Sequence, residues 1–162
     1  MDKRALNSVG IMQRMKLKAA TAESCTGGMI AKLITDVPGA SDVFEYGIVS
    51  YSDRIKNRYL GVPEDTLHEF TAVSEQTARA MALGALENSG ADIALSTTGY
   101  AGPRCGTEPC GLIFVCLAAK DGTADVIRLE TKSDDRCSNR EKAASKALEM
   151  LEGYLENTYI KK

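Results

Sequence analysis

The fold is decided around one stretch of the chain, Ala22-Glu23-Ser24-Cys25-Thr26-Gly27-Gly28. Residues 17–22 predict a short strand that leads into it, and residues 29–34 predict a helix that follows it. Small hydroxyl residues and two glycines at such a junction leave N–H groups pointing at a ligand, which suits an anion or the oxyanion of an acyl-transfer intermediate. A helix N-terminus capped by Thr26, with glycines for tight packing, explains the same residues, and the pattern alone leaves both interpretations open.

Helical patterns surround this junction. The first helix is predicted from apolar residues at helical spacing, namely Leu6, Val9, Met12 and Met15. Further helices are predicted to begin at the caps Ser52 and Ser74. The last helix is predicted to begin at the capping box Ser138-x-x-Glu141 and to bury Ala144, Ala147, Leu148, Leu151 and Leu155.

Four more strands are predicted, over residues 44–50, 91–96, 112–118 and 125–131, with a hairpin at 120–122. No repeat, linker or low-complexity tract interrupts the chain. We therefore predict one α/β domain over residues 1–162, a three-layer α/β/α sandwich with a mixed sheet.

Composition and charge weigh against several classes of function. The chain has 162 residues, 44% of them apolar, and a formal net charge of −2, whereas proteins that track a nucleic-acid backbone usually carry a basic surplus. There is one histidine, His68, which nearly excludes a zinc site built on histidine ligands and would have to serve any Ser-His-Asp triad. We expect no metal and no direct contact with nucleic acid, and, if the chain is a hydrolase, a base other than histidine.

Nothing in the sequence predicts export or membrane insertion. No run of about 18 apolar residues occurs, and residues 1–10 lack the apolar core of a signal peptide. Five cysteines, none in a C-x-x-C pair, predict free thiols; the alternative is that Cys105 and Cys110, which flank one loop, oxidise together. We expect a cytoplasmic protein without membrane contact.

A second candidate segment is Ser50-Tyr51-Ser52-Asp53-Arg54-Ile55-Lys56. Tyr51 ends a predicted strand and Lys56 lies one helical turn further, so both side chains can reach a common point. A desolvated lysine with a lowered pKa is able to act as the base that histidine normally supplies, and a tyrosine is able to relay the proton. The alternative is a solvated lysine on a short helix.

A third candidate segment follows a buried strand and contains Thr98, Gly99, Ala101 and Gly102. Its glycines would let a ligand approach the backbone closely, although a merely tight loop has the same composition. Arg136 and Arg140, before and within the last helix, are able to bind a phosphate through paired N–H donors. They are equally consistent with a surface cluster.

The chain carries motif blocks at residues 22–28, 51–56, 60–62, 72–75, 81–85 and 98–103. In this order they resemble the CinA C-terminal domain family, also described as nicotinamide-nucleotide amidase, and the resemblance covers nearly the whole chain. It implies hydrolysis of nicotinamide mononucleotide to nicotinic acid mononucleotide and ammonia, without a metal or other cofactor. It also implies a homo-oligomer, with a dimer as the expectation. The larger N-terminal domain of two-domain family members is not expected in this chain.

The resemblance implies a role for each matching residue. Ser24 would be the nucleophile, Lys56 its base, and Tyr51 the hydroxyl that relays or orients the proton. The N–H groups of Thr26, Gly27 and Gly28 would stabilise the oxyanion. The nucleotide would be bound by the third segment together with the two arginines, that is, by Thr98, Gly99, Ala101, Gly102, Arg136 and Arg140.

The loop at residues 104–110 departs from the family pattern. Glu108 stands where the family has a lysine and Cys110 where it has a valine, and the loop is about two residues shorter. A glutamate there would repel a substrate phosphate, and Arg104 would compensate for its charge. The altered loop keeps two alternatives open: a nucleotide-binding module without turnover, and an accessory protein in competence or DNA damage.

Overall fold

The stretch at residues 22–28 joins an inner strand of a five-stranded sheet to a helix. The computed structural model describes residues 1–103 and 105–160, so Arg104 and its predicted compensating charge lie outside the described residues. The strands are β1 (Ala19–Glu23), β2 (Phe44–Val49), β3 (Ile93–Gly99), β4 (Leu112–Ala119) and β5 (Ala124–Glu130). Their order in the sheet is β2-β1-β3-β4-β5. Strand β1 is parallel to β2 and β3, whereas β4 is antiparallel to β3 and β5, so the sheet is mixed as predicted.

Helices cover both faces of this sheet. They are α1 (Lys3–Met15), α2 (Met29–Thr35), α3 (Asp53–Leu60), α4 (Glu64–Phe70), α5 (Glu75–Ser89) and α6 (Arg136–Leu155). Helices α1, α2 and α6 pack together on one face, and α3, α4 and α5 on the other. The predicted three-layer α/β/α sandwich is therefore confirmed as a single α/β domain. Within the described ranges, no helix combines the length and the apolar character needed to cross a membrane.

Alternation along β1 explains why both faces are covered. Ala19 joins the core under α1, α2 and α6, while Ala20 and Ala22 join the core under α5. Strand β3 shows the same alternation, because Leu95 lies in the core under α1, α2 and α6 and Ala94 lies in the core under α5. Because side chains of a strand point alternately to opposite faces, two apolar faces require a layer of helices on each side.

The predicted apolar face of α1 is partly wrong. Leu6 is 51% exposed and Met15 42% exposed, and the buried residues include Ala5 and Ser8. Helix α1 packs against α6, which buries Ala143, Ala144 and Ala147 besides an asparagine and three leucines. Small residues let two helix backbones approach closely, so Ala5 and Ser8 turn inward beside the predicted Val9 and Met12, while Leu6 and Met15 stay in solvent.

The last helix begins earlier than predicted. Asp135, not Ser138, is its N-cap, and the Asp135 carboxylate accepts hydrogen bonds from the N–H groups of Cys137 and Ser138. The predicted capping box therefore does not form, because an acceptor one turn earlier already satisfies these donors. The buried residues predicted for this helix are confirmed.

Helix α4 was not predicted, because it has no apolar face: none of its described residues is buried. It follows Pro63 and carries Glu64 and Asp65 in its first turn, where acidic side chains favour helix formation through the helix dipole.

The prediction of free thiols is wrong for one pair. Cys105 and Cys110 form a disulfide with a Cα–Cα distance of 5.6 Å, while Cys25, Cys116 and Cys137 are free. The short loop between the two cysteines brings them into bonding range, which residue counts alone do not reveal.

Candidate active site

Three parallel strands end at the same edge of the sheet. Glu23 at the end of β1 is level with Val49 on β2 and Thr97 on β3. The Ser24 N–H donates to the Thr97 carbonyl at 2.9 Å, and Ser24 is only 8% exposed. Because open α/β sheets bind ligands beyond the carboxyl ends of their strands, Ser24 lies where chemistry is expected.

A buried carboxylate closes the turn that follows Ser24. The Glu23 side chain is fully buried and accepts hydrogen bonds from the N–H groups of Gly28 at 3.0 Å, Ile30 at 3.1 Å and Ala31 at 2.8 Å. These are donors that the start of a helix otherwise leaves unpaired, and the carboxylate lies at the positive end of α2. The N-terminus of α2 is thus already occupied by the protein's own anion.

The expectation of bare N–H groups at both glycines is therefore wrong. Gly28 donates to Glu23, and Gly27 donates to the Ser24 carbonyl at 3.1 Å. Their φ angles are 63° for Gly27 and 93° for Gly28, a region that other residues rarely adopt. The glycines are required by the shape of the turn, and of the three predicted oxyanion donors Thr26 remains.

The other interpretation, in which Thr26 caps the helix, is also wrong. Its hydroxyl hydrogen-bonds to the Thr97 hydroxyl at 2.6 Å, and α2 has no side-chain cap at its N-cap residue. The carbonyls of the turn are held from α6, where Arg140 donates to Cys25 O at 3.0 Å and to Thr26 O at 2.9 Å. The contacts of Arg140 in the structure are thus with the backbone that carries Ser24.

Lys56 is buried although it lies on a short helix. Its side chain is 1% exposed, and its Nζ lies 3.7 Å from the Asp53 carboxylate and 3.4 Å from the Tyr51 carbonyl, to which it donates. Burial lowers the pKa of Lys56 below its ordinary value, while the negative charge of Asp53 opposes this shift. The interpretation as a solvated lysine is wrong, and the charged neighbour of Lys56 is Asp53.

The backbone carbonyl of Tyr51 contacts Lys56, whereas the Tyr51 hydroxyl contacts Arg136. The side chain is 60% exposed, and its Oη accepts a hydrogen bond from Arg136 Nη2 at 2.8 Å. Arg136 Nη1 donates to the Gly102 carbonyl at 3.1 Å. One guanidinium group therefore joins the segment after β2 to the segment after β3.

The segment after β3 is held mainly by its backbone. Gly99 is packed so closely against Ile113 that an added Cβ would lie 2.6 Å from its side chain. The Ala101 carbonyl accepts from Asn139 Nδ2 at 2.9 Å. The Thr98 hydroxyl, predicted to line the nucleotide pocket, donates to the Ala72 carbonyl at 2.5 Å.

Cys25, next to Ser24, is not a competing nucleophile at neutral pH. Burial, with a smaller contribution from the Glu23 charge, raises the pKa of its thiol to about 11, although the Thr97 hydroxyl and the Arg136 charge act in the opposite direction. At pH 7 the thiol is protonated, so Ser24 is the better candidate.

Two residues that hold this site were not singled out from the sequence. Glu23 stands inside the quoted stretch, and an acidic residue shortly before a helix is a signal that points to its role. Asn139 gives no such signal, because its partners, the carbonyls of Ala101 and Ser133, are distant in sequence or outside regular structure. The single histidine, His68, lies exposed on α4.

A family model described as the CinA C-terminal domain matches residues 2–155. The chain belongs to this family. A CinA-like protein of Akkermansia muciniphila is 50% identical over 145 residues, which are 85% of this chain and 33% of the relative. A putative competence-damage inducible protein of Caldicellulosiruptor bescii is 49% identical over 146 residues, 88% of this chain and 35% of the relative. The CinA C-terminal domain described here thus spans about a third of the length of these curated relatives.

Solved structures of the family share the fold. The competence/damage inducible protein CihA of Agrobacterium tumefaciens superposes with a TM-score of 0.91 at 38% identity, covering 95% of this chain and 94% of that one. The competence damage-inducible protein A of Klebsiella pneumoniae gives a TM-score of 0.91 at 30% identity, covering 96% and 97%.

Proposed function

We propose that this CinA C-terminal domain is a metal-independent amidohydrolase that deamidates nicotinamide mononucleotide. The observation that carries the proposal is the burial of Lys56, whose Nζ is held by the Tyr51 carbonyl just beyond β2, while Ser24 follows β1, the strand paired with β2. A lysine that is only 1% exposed and has a lowered pKa is suited to accept a proton from a serine. The resemblance of the motif blocks to the nicotinamide-nucleotide amidases supplies the substrate.

The proposed reaction balances through an acyl-enzyme. Ser24 Oγ bonds to the amide carbon while neutral Lys56 takes its proton, and the tetrahedral oxyanion accepts a hydrogen bond from the Thr26 N–H. Lys56 then returns a proton to the nitrogen, the carbon–nitrogen bond breaks, and ammonia leaves. Water attacks the resulting ester, with Lys56 again as the base, and releases nicotinic acid mononucleotide and free Ser24.

Tyr51 and the two arginines have supporting roles in this proposal. The sequence-based role of Tyr51 as a proton relay is replaced by a positioning role: its carbonyl holds Lys56 Nζ at 3.4 Å, while Arg136 holds its hydroxyl at 2.8 Å. A guanidinium carries five N–H donors. Arg136 and Arg140 each bind protein groups with some of these donors. Their remaining N–H groups would bind the substrate phosphate.

Deamidation of the nucleotide tests the proposal directly. Wild-type protein should release ammonia and nicotinic acid mononucleotide in equal amounts over many turnovers, and Ser24→Ala should lower the rate by about 10³-fold or more. Ser41→Ala, at an exposed serine, is the matched control and should keep the full rate. Rapid quenching followed by intact-mass measurement should show the acyl group on wild-type protein and none on Ser24→Ala.

Two results would contradict this function. A wild-type protein that releases no ammonia, or a Ser24→Ala variant at full rate, rules out the serine mechanism. If the nucleotide raises the unfolding temperature without any product, the domain is a nucleotide-binding module instead.

A further inference from the structure

The loop that contains the disulfide lies beside the candidate site. Strand β3 ends at Gly99, and the chain returns to β4 through residues 100–111, which the Cys105–Cys110 bond closes into a small ring. Inside the ring, the Glu108 N–H donates to the Cys105 carbonyl at 3.0 Å. Both cysteines are partly exposed, so a reductant can reach their sulfur atoms.

One sulfur of the pair touches the backbone that leads to the site. Cys110 Sγ lies 3.5 Å from the Pro103 carbonyl oxygen, and a Cβ added at Gly102 would lie 3.5 Å from the same sulfur. In the disulfide this sulfur has no proton, so it only packs against the two residues. As a thiol it would be free to rotate and to donate a weak hydrogen bond to the Pro103 carbonyl.

Two hydrogen bonds continue from that backbone to Tyr51. The Gly102 carbonyl accepts from Arg136 at 3.1 Å, and the other terminal nitrogen of Arg136 donates to the Tyr51 hydroxyl at 2.8 Å. A shift of Gly102 therefore changes the position of the guanidinium and, through it, that of the Tyr51 ring.

The turn that carries Ser24 is held independently of this loop. Arg140 and Glu23 bind the turn, and neither bonds to residues of the ring in the described part of the chain. Asn139, fully buried, holds the Ala101 carbonyl at 2.9 Å, so a change in the ring should not extend to the residues before Gly102. A change in the ring should thus move Gly102, Arg136 and Tyr51 while leaving Ser24 in place.

We propose that the Cys105–Cys110 pair is a reversible redox site that reacts with dithiols and that its state sets the position of Arg136 and Tyr51. A thiolate of the reductant bonds to one sulfur, the Cys105–Cys110 bond breaks, and the released sulfur takes a proton. The second thiol of the reductant then displaces the remaining cysteine. Two electrons and two protons pass to the protein, and the reductant leaves as a disulfide.

The effect on turnover rests on the proposed deamidase function, whereas the movement of the loop does not. For the test, Cys137→Ser removes the exposed free thiol and is the background for all measurements. The pair is reduced with dithiothreitol or left oxidised, and thiols are counted by maleimide labelling under native conditions. Hydrogen exchange of the peptides that cover residues 100–111 and 134–140 is then compared between the two forms.

Reduction should expose two thiols, speed exchange at residues 102–110 and raise the KM for nicotinamide mononucleotide about fivefold or more with little change in kcat. Reoxidation should reverse all three. The Cys105→Ser/Cys110→Ser double variant in the same background should resemble the reduced form with or without dithiothreitol.

The proposal is overturned if oxidised and reduced protein have the same exchange at these residues, or if the double variant still responds to the reductant. A purified protein in which the pair does not form a disulfide in a glutathione redox buffer overturns it too. If neither form deamidates the nucleotide, the proposed function fails, and the exchange data still decide whether the disulfide controls the loop.

Discussion

The turn at residues 24–28 and the loop at residues 101–111 follow neighbouring parallel strands, yet they are held in different ways. The turn is fixed from both sides, by three N–H donors to Glu23 and by two donors from Arg140 to its carbonyls. The loop is fixed by the Asn139 side chain, one bond from Arg136, the disulfide and backbone hydrogen bonds such as those from Gly111 to Tyr100 and from Glu108 to Cys105. A buried carboxylate and a partly buried guanidinium define the turn, while the loop is partly exposed.

In the proposed function, this difference separates two tasks of one site. The proposed nucleophile, Ser24, must be held in one geometry to be effective, and the contacts of the turn suit that requirement. A segment that admits a substrate is expected to be accessible and less protected than the core, and the loop is exposed at residues 106–109. The following predictions begin with Lys56, where the largest effect is expected, and those for Glu23 and Asn139 then follow in decreasing order.

The largest effect is expected for substitution of Lys56, the proposed base for Ser24 in the turn. Lys56→Met should lower kcat/KM by about 10³-fold, or about 4 kcal/mol, because the base is lost. In the wild type kcat/KM should rise with pH as Lys56 loses its proton, with a midpoint below the ordinary lysine range because its pKa is lowered. A pH–rate profile that lacks this limb would show that Lys56 is not the base.

The same substitution should stabilise the fold. Because the pKa of Lys56 is lowered in the folded state, the unfolded chain binds more protons between that value and the ordinary one. Stability of the wild type should therefore increase as pH rises through this window. Lys56→Met removes the buried ammonium and should raise the free energy of unfolding at pH 6 by about 1 kcal/mol in urea titrations. Lys32→Met, at an exposed lysine, is the control.

Alanine variants of Glu23 and Glu108 compare the contributions of the turn and the loop to the free energy of unfolding. Glu23→Ala leaves three N–H groups of α2 unpaired and should lower the free energy of unfolding by about 3 kcal/mol. Glu108→Ala, in the exposed part of the loop, should change it by less than about 0.5 kcal/mol. Similar urea midpoints for the two variants would remove the distinction between a rigid turn and a loosely held loop.

The stability of an Asn139 variant shows how strongly the Asn139 side chain holds the loop. Asn139→Ala leaves the carbonyls of Ala101 and Ser133 without their donor, so it should cost about 2 kcal/mol, less than Glu23→Ala. Asn7→Ala, at an exposed asparagine, serves as the control and should cost less than about 0.5 kcal/mol. A cost at Asn139 equal to that at Glu23 would mean that both segments are equally rigid.

Much of the fold was predictable because it depends on local pattern. Strand positions, the mixed sheet and the buried face of α6 follow from apolar periodicity and turn residues. The face of α1 did not follow, because packing against the alanines of α6 favoured Ala5 and Ser8 over Leu6 and Met15. Helix α4 was missed because it buries no residue that would give it a periodic signal.

For the candidate site, the sequence by itself determined which chemistry is available. One histidine and a lysine one turn after a tyrosine pointed to a lysine as the base, and the resemblance of the motif blocks to the CinA family implied Ser24 as the nucleophile. Only the tertiary structure decided that Lys56 is buried and that the glycine N–H groups are occupied. The physical reason is that burial, and the competition of buried groups for hydrogen-bond donors, depend on residues far apart in the chain.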